Sequence, residues 1–380
     1  DTAGVPDFAG GVRRKEYEMK KILCLFAAVS SLILFAAEPL PVLCLVSEDT
    51  ATQGLTDIDP RAAAAYRANG FDLHFGFYQQ TTREELMRYP IVVGMIPQLH
   101  AGTDAISPQL VEDFDYFMKS GGGLVMIPGP SYYGIDDFVR LVNPFLNRYG
   151  IGVSNDIPKD STPANTITQV RALAYRYLKT SALKSDHPVT AGIPYIYLPL
   201  DFSYAYVRTY TMTQPSPEWE ILITGEDSCG SFLRKSMVSG NPEPGLWKNK
   251  PPFLAVRPVG KGFLALFTTA SRYFIYDACH WAFGNGFVLN EGHGLKLMVQ
   301  LFSYVSQNRA QMPPAPTAPV KKPVPVPESG NLPVVQSRRE WYNQVFQTFL
   351  PKGFGVLSYI DAGGITDALY RKKRGRGVLP

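Results

Sequence analysis

Four short runs in the first third of the chain are mostly apolar on both sets of alternating positions. They are Val42-Leu43-Cys44-Leu45-Val46, Asp72-Leu73-His74-Phe75-Gly76-Phe77, Ile91-Val92-Val93-Gly94-Met95-Ile96 and Gly123-Leu124-Val125-Met126-Ile127. A strand with one wet face alternates apolar and polar residues. A strand buried on both faces does not, so these runs predict a covered, mainly parallel sheet. The stretches between them carry helical signals. Pro60–Asn69 is rich in alanine and meets a stop at Gly70. Thr82 is placed to cap a turn that opens with Glu84 and Glu85. Ser107–Lys119 is the clearest helix: Ser107 caps it, Pro108 suits its first turn, Gly121 can end it, and Leu110, Phe114, Phe117 and Met118 share one face.

Strands alternating with helices predict an α/β domain, a flavodoxin-like doubly wound sheet with flanking helices. Asp136–Tyr149 reads as a further helix, and the Pro- and Thr-rich Pro158–Ile167 as an excursion. The second half is β-rich, with strand patterns at Tyr195–Leu200, Tyr204–Tyr210, Glu220–Thr224, Phe253–Arg257 and Gly262–Thr268. Gly294–Gln307 reads as a closing helix. The domain is placed at residues 38–308.

The flanks carry other patterns. Met19-Lys20-Lys21 precedes an apolar run, Ile22–Ala37, ending in small residues before Glu38. This is the make-up of a secretory signal peptide over 19–37, with cleavage after Ala37. The run is shorter than the ~20 residues that span a bilayer comfortably, and an uncleaved anchor is the alternative. Residues 1–18 precede the initiator expected of such a segment and read as leader sequence. The expected location is therefore outside the cytoplasm: periplasm, cell envelope or extracellular space. After the domain, residues 309–333 are dense in proline and read as a stiff, extended linker. Residues 334–380 are too few to fold alone without staples and read as the opening of a further domain or as a docking tail.

Charge narrows the partners. The chain has 37 basic and 33 acidic residues, and part of the excess sits in Lys20–Lys21 and in Arg371–Arg376. No basic stretch lies between residues 42 and 308, which argues against a nucleic-acid partner. Of the four cysteines, Cys24, Cys44, Cys229 and Cys279, signal cleavage leaves three, too few for a disulfide framework. A single Cys229–Cys279 bridge and three free thiols are both open.

Four segments resemble the class I glutamine amidotransferase-like superfamily, in its ThuA-like and membrane-associated branches. They are Tyr89–Val93, Phe117–Val125 with its Gly121-Gly122-Gly123, His187–Ile193, and Pro251–Thr269 with Gly260-Lys261-Gly262. The glycines have structural explanations, as a helix end and a hairpin turn. His187 before Pro188 reads as a loop-shaping residue. Catalytic members of the superfamily place a cysteine in the tight turn after the strand that follows the glycines, and activate it with a histidine. Here that turn is Ile127–Gly134, without cysteine, and the strand expected to carry the histidine runs into Phe267–Arg272, without histidine. The resemblance thus implies the fold with the catalytic pair lost.

Ser131 is the weak candidate nucleophile near the apex of that turn, and it would need a base from among His74, His100, His187, His280 and His293. No metal is expected: Asp277, His280, Glu291 and His293 are close in sequence but lack H-E-x-x-H spacing. No phosphate-cradling motif occurs and no cofactor is expected. In this architecture ligands bind at the C-terminal edge of the parallel strands. The residues following those strands are Glu48 and Asp49, Gln98 and His100, and Ser131, Tyr132 and Tyr133. Their chemistry suits a polyol, with rings to stack on its apolar face. Further tyrosines, Tyr195, Tyr197, Tyr204, Tyr206, Tyr210, Tyr273 and Tyr276, are expected around the same edge, although ordinary cross-strand packing is the favoured explanation of alternating tyrosines. The leading expectation is an exported, non-catalytic amidotransferase-like module acting in binding or assembly at the cell envelope, with carbohydrate or an envelope protein as its partner. The alternatives are a ThuA-like enzyme acting on carbohydrate, a hydrolase using Ser131, and a spacer for a missing C-terminal catalytic domain.

Overall fold

The computed structural model describes residues 38–46, 60–95, 106–127, 142–170, 174–202, 209–233, 242–269, 274–275, 288–313, 354–356 and 370–372. The chain divides into two units, residues 1–40 and 41–380, and the architecture below is that of the second. The expected leader, signal segment and most of the proline-rich linker lie outside the described residues. Among the described residues no helix is long and apolar enough to cross a membrane.

A mixed seven-stranded sheet forms the centre, in the order β2-β1-β3-β4-β12-β11-β9. The strands are β1 (Leu40–Val46), β2 (Phe71–Phe77), β3 (Ile91–Met95), β4 (Gly123–Ile127), β9 (Glu220–Thr224), β11 (Pro252–Val259) and β12 (Gly262–Phe267). β1, β3, β4 and β12 pair in parallel. The β11–β12 hairpin then reverses direction, and β9 adds antiparallel to β11. The sheet is thus parallel through four central strands and antiparallel beyond. The strands β3, β4 and β12 are buried at every position, as their unbroken apolar runs require.

Helices cover both faces. α1 (Pro60–Ala68) and α4 (Gly294–Val305) lie on one, where Tyr66 and Phe71 pack on Phe302 with ring centroids 5.8 and 5.4 Å away. α2 (Arg83–Leu86) and α3 (Pro108–Lys119) lie on the other, where Phe114 and Phe117 join Leu43, Leu45, Leu124 and Leu264 in the main core. The caps are those the sequence predicts. Ser107 Oγ accepts the Leu110 N–H at 3.1 Å and Thr82 Oγ1 accepts the Glu85 N–H at 3.3 Å. After α3 the chain turns at Gly121, whose φ of +115° is open only to glycine at low cost.

The second half is β-rich but organised differently from its sequence pattern. The excursion Pro158–Ile167 contains the end of β5 (Asp156–Asp160) and the start of β6 (Thr166–Val170). Those strands are polar and short, and they pair outside the central sheet, so no apolar run announces them. β5 pairs with β10 (Cys229–Leu233), while β6, β7 (Ala174–Thr180) and β8 (Ile196–Phe202) make a three-stranded antiparallel sheet. The expected strand at Tyr204–Tyr210 falls mostly outside the described residues, and its last two residues are not strand. Of the helix expected at Asp136–Tyr149, residues 142–149 are described, and they are helical, ending in a 3-10 turn at Asn147–Tyr149. In the C-terminal segment, β13 (Phe354–Val356) and β14 (Tyr370–Lys372) form an antiparallel pair.

Candidate functional site

The seven residues nominated from sequence, Glu48, Asp49, Gln98, His100, Ser131, Tyr132 and Tyr133, all lie outside the described residues, as do His280, Cys279, Tyr204, Tyr206, Tyr273 and Tyr276. The edge they were assigned to is nevertheless partly visible. α4 runs antiparallel to the central strands, since its last residue, Val305, abuts Gly123 at the start of β4. Its N-terminus therefore stands at the strands' C-terminal edge. There Phe274 packs on Phe267, the last residue of β12, at 5.1 Å, and Tyr66 donates its hydroxyl to the Phe274 carbonyl at 2.6 Å.

Two buried threonines occupy the position just after β12. Thr268 donates its hydroxyl to the Tyr210 carbonyl at 2.7 Å, and its backbone N–H to Phe253 O at 2.9 Å. Thr209 donates to Pro199 O at 2.8 Å, so the Thr269 hydroxyl is the donor in their 3.2 Å contact. These hydroxyls tie the end of β12 to β8, and their donors are spent on scaffold oxygens.

Beyond them lies a cluster of half-exposed side chains built by strand register. Lys179 of β7 is paired directly with Tyr197 of β8, which puts both on one face, and Tyr195 lies just before β8. Lys179 Nζ sits 4.5 Å from the centre of the Tyr195 ring, a cation–π contact. Tyr195 lies 5.3 Å from Tyr197 and meets His293 edge-on at 4.8 Å. His293 holds a left-handed backbone, φ +55°, at the start of α4, a conformation that costs a non-glycine residue energy. The first donors of α4 are already used: Gly294 N–H goes to Val288 O and Leu295 N–H to Leu289 O. The helix start is therefore not an open anion site, and the chemistry rests on the side chains. Burial first, then Tyr195 through its charge and hydrogen bond, and Glu291, hold the Tyr197 phenol above its usual value. It stays protonated at neutral pH and can both donate and accept.

Tyr195, Tyr197 and His293 were visible in the sequence as aromatic or titratable candidates. Lys179 was not, because its partner is set by pairing across strands and it has no local signature. Tyr210, grouped with them from sequence, is buried in the main core.

The remaining groups are structural. His74 is half exposed on β2, 3.3 Å from Asp72 and edge-on to Tyr89 at 5.7 Å. His187 is buried and shapes its loop, as expected, with Nδ1 accepting the Val189 N–H at 3.2 Å. Cys44 and Cys229 are free, buried thiols. Burial drives the Cys44 thiol far up, and burial with Asp160 and Glu226 pushes Cys229 up to about 12. Neither can act as a thiolate nucleophile near neutral pH. Among the described residues no group of three His, Cys, Asp or Glu side chains converges as a metal site.

No family model matches this chain, and no curated protein matches it. Among solved structures, the mmIFT52 N-terminal domain is similar at 14% identity and a TM-score of 0.44, covering 70% of this chain and 97% of that one. Cytoplasmic Protein STM1381 from Salmonella typhimurium LT2 is similar at 14% identity and a TM-score of 0.43, with 70% and 99% covered. A beta-galactosidase from Rahnella sp. R3 is similar at 11% identity and a TM-score of 0.34, with 77% of this chain and 35% of that one covered. Likenesses this distant carry no argument about ligand or activity.

Proposed function

We propose that this chain is an exported, non-catalytic binding module for carbohydrate, with a flavodoxin-like doubly wound sheet related to the amidotransferase-like superfamily. The strand order β2-β1-β3-β4-β12 supports the fold, because it is the 2-1-3-4-5 order of flavodoxin-like sheets. Two features support the loss of catalysis. The turn after β4 has no cysteine in sequence, and the position after β12 holds Thr268 and Thr269, whose hydroxyls serve the scaffold. The apolar run Ile22–Ala37 behind Lys20-Lys21 supports export.

The observation that carries the binding reading is the Tyr195–Tyr197–His293 cluster with Lys179. Half-exposed rings can stack on the apolar face of a sugar while phenols, imidazole and ammonium bond its hydroxyls. The test is calorimetric titration of the full chain with soluble oligosaccharides of neutral and charged composition. Each of Tyr195→Ala and Tyr197→Ala is expected to weaken binding by about three- to tenfold, the worth of one stacked ring. Binding that survives both substitutions unchanged, or no binding of any oligosaccharide, overturns the reading.

A further inference from the structure

β9 is the last strand of the central sheet, and an uncovered edge invites pairing with another chain. Residues 180–184 cover it. Lys184 N–H donates to Leu222 O at 2.9 Å, Thr224 N–H donates to Ala182 O at 3.1 Å, and Thr180 donates its hydroxyl to Thr224 O at 2.7 Å. Leu183 bridges Ile223 in antiparallel sense. The chain then runs through a compact series of turns to Ile193, with His187 N–H on Lys184 O, Thr190 N–H on His187 O and Ile193 N–H on Thr190 O, at 3.0–3.1 Å. α4 holds the far end: Gln300 donates to Ala191 O at 3.1 Å and Lys296 to Gly192 O at 2.7 Å.

His187 sits at the centre of this segment and is 6% exposed. Its ring lies edge-on to Tyr304 of α4 at 4.7 Å, and Tyr304 packs in turn on Phe263 of β12. Because Nδ1 accepts the Val189 N–H, the ring must be neutral with its proton on Nε2. Nε2 points toward Glu220 Oε2, 3.8 Å away, too far for a strong bond. Glu220 is also paired with Lys184, so its charge is already answered. Adding a proton to Nδ1 sets donor against donor inside a buried turn.

We propose that residues 180–193 form an acid-releasable strap over the outer edge of β9, with His187 as its catch. Protonation removes the acceptor of the Val189 N–H, opens the turns that follow Lys184 and uncovers the Leu222 and Thr224 backbone. The groups around the ring decide the direction. Burial holds the imidazole below its ordinary value; Glu220 and Asp186 act against this and Lys184 with it. Tyr304 presents a phenol held above its usual value by burial and Glu220, which stays neutral throughout. The neutral ring is thus the strapped form, and the strap loosens as pH falls below about 6.5.

The experiment is hydrogen exchange of the full chain at about pH 7.5 and about pH 5, corrected for intrinsic exchange chemistry. Peptides covering 182–193 and the Thr224 amide are expected to exchange several-fold faster at the lower pH, because protonation of the depressed His187 imidazole favours the open strap. In His187→Gln, whose side chain stays neutral and keeps an acceptor, they are expected to exchange alike at both. An NMR titration of the His187 ring alongside the Val189 amide gives an independent reading, and it decides the matter alone if the variant does not fold. Joint titration of ring and amide supports the strap. Protection that does not change with pH, an equal rise in His187→Gln, or a ring that titrates while the Val189 amide stays still overturns it.

Discussion

At the scale of single residues, burial rather than identity decides which groups can react. Cys44 lies inside β1 with no exposed surface, and Cys229 opens β10 with none either. A thiol reacts as its thiolate, and burial disfavours that anion. Alkylation of the native protein with iodoacetamide at about pH 8 is therefore expected to leave both unmodified, with full labelling in urea, read by peptide mass spectrometry. Labelling of Cys229 in the native state would place it in an open segment rather than a packed one. The sequence left a Cys229–Cys279 bridge open; Cys229 is a free thiol in this structure, and Cys279 lies outside the described residues. Three cysteines after signal cleavage cannot make that choice, since pairing depends on distance in space.

At the scale of elements, local rules were the legible part. The Ser107 cap and the Gly260 turn were readable because each depends on a few adjacent residues. Ser107→Ala removes the acceptor of the Leu110 N–H and is expected to cost about 1 kcal/mol. Gly260 has φ +60°, and a Cβ there would stand 2.6 Å from Lys119 Cα. Gly260→Ala is therefore expected to cost about 2 kcal/mol or more, from left-handed backbone and from overlap with α3. Urea unfolding, with the midpoint lowered and the slope unchanged, checks both. A Gly260→Ala protein as stable as the parent would mean the hairpin relaxes freely. The strands β4 and β9 could be bounded from sequence because an apolar run or its flanks marked each end. β5, β6, β7 and β10 could not: Pro158, Thr166 and Lys179 interrupt any apolar pattern, and their partners are distant in sequence. The tyrosines of the candidate site were legible as a composition, but their meeting with Lys179 and His293 was not. Register between β7 and β8 and the start of α4 create it, and neither has a local code.

At the scale of the whole molecule, proton binding connects the strap to stability. A group whose folded value is depressed leaves the unfolded chain holding more protons between the two values, so stability rises with pH across that window. His187 is such a group, depressed chiefly by burial, and its contribution is complete above about pH 6.5 and declines as pH falls from there toward its folded value. Asp115 acts lower. Burial alone would raise it, but the hydrogen bonds from Lys119 and Tyr149 and the charge of Arg148 outweigh burial and hold its carboxyl down. Its contribution is complete above about pH 4 and is lost as pH falls through its depressed value. Stability is thus expected to fall in two acid stages, the upper from His187 and the lower from Asp115. Urea midpoints measured from about pH 8 to about pH 3 should show both, with His187→Gln abolishing the upper stage and Asp115→Asn reducing the lower. The two variants act on different elements, the strap and α3, so their effects should add. A single decline confined below about pH 4, the same in His187→Gln as in the parent, would mean that the catch carries no weight in the fold.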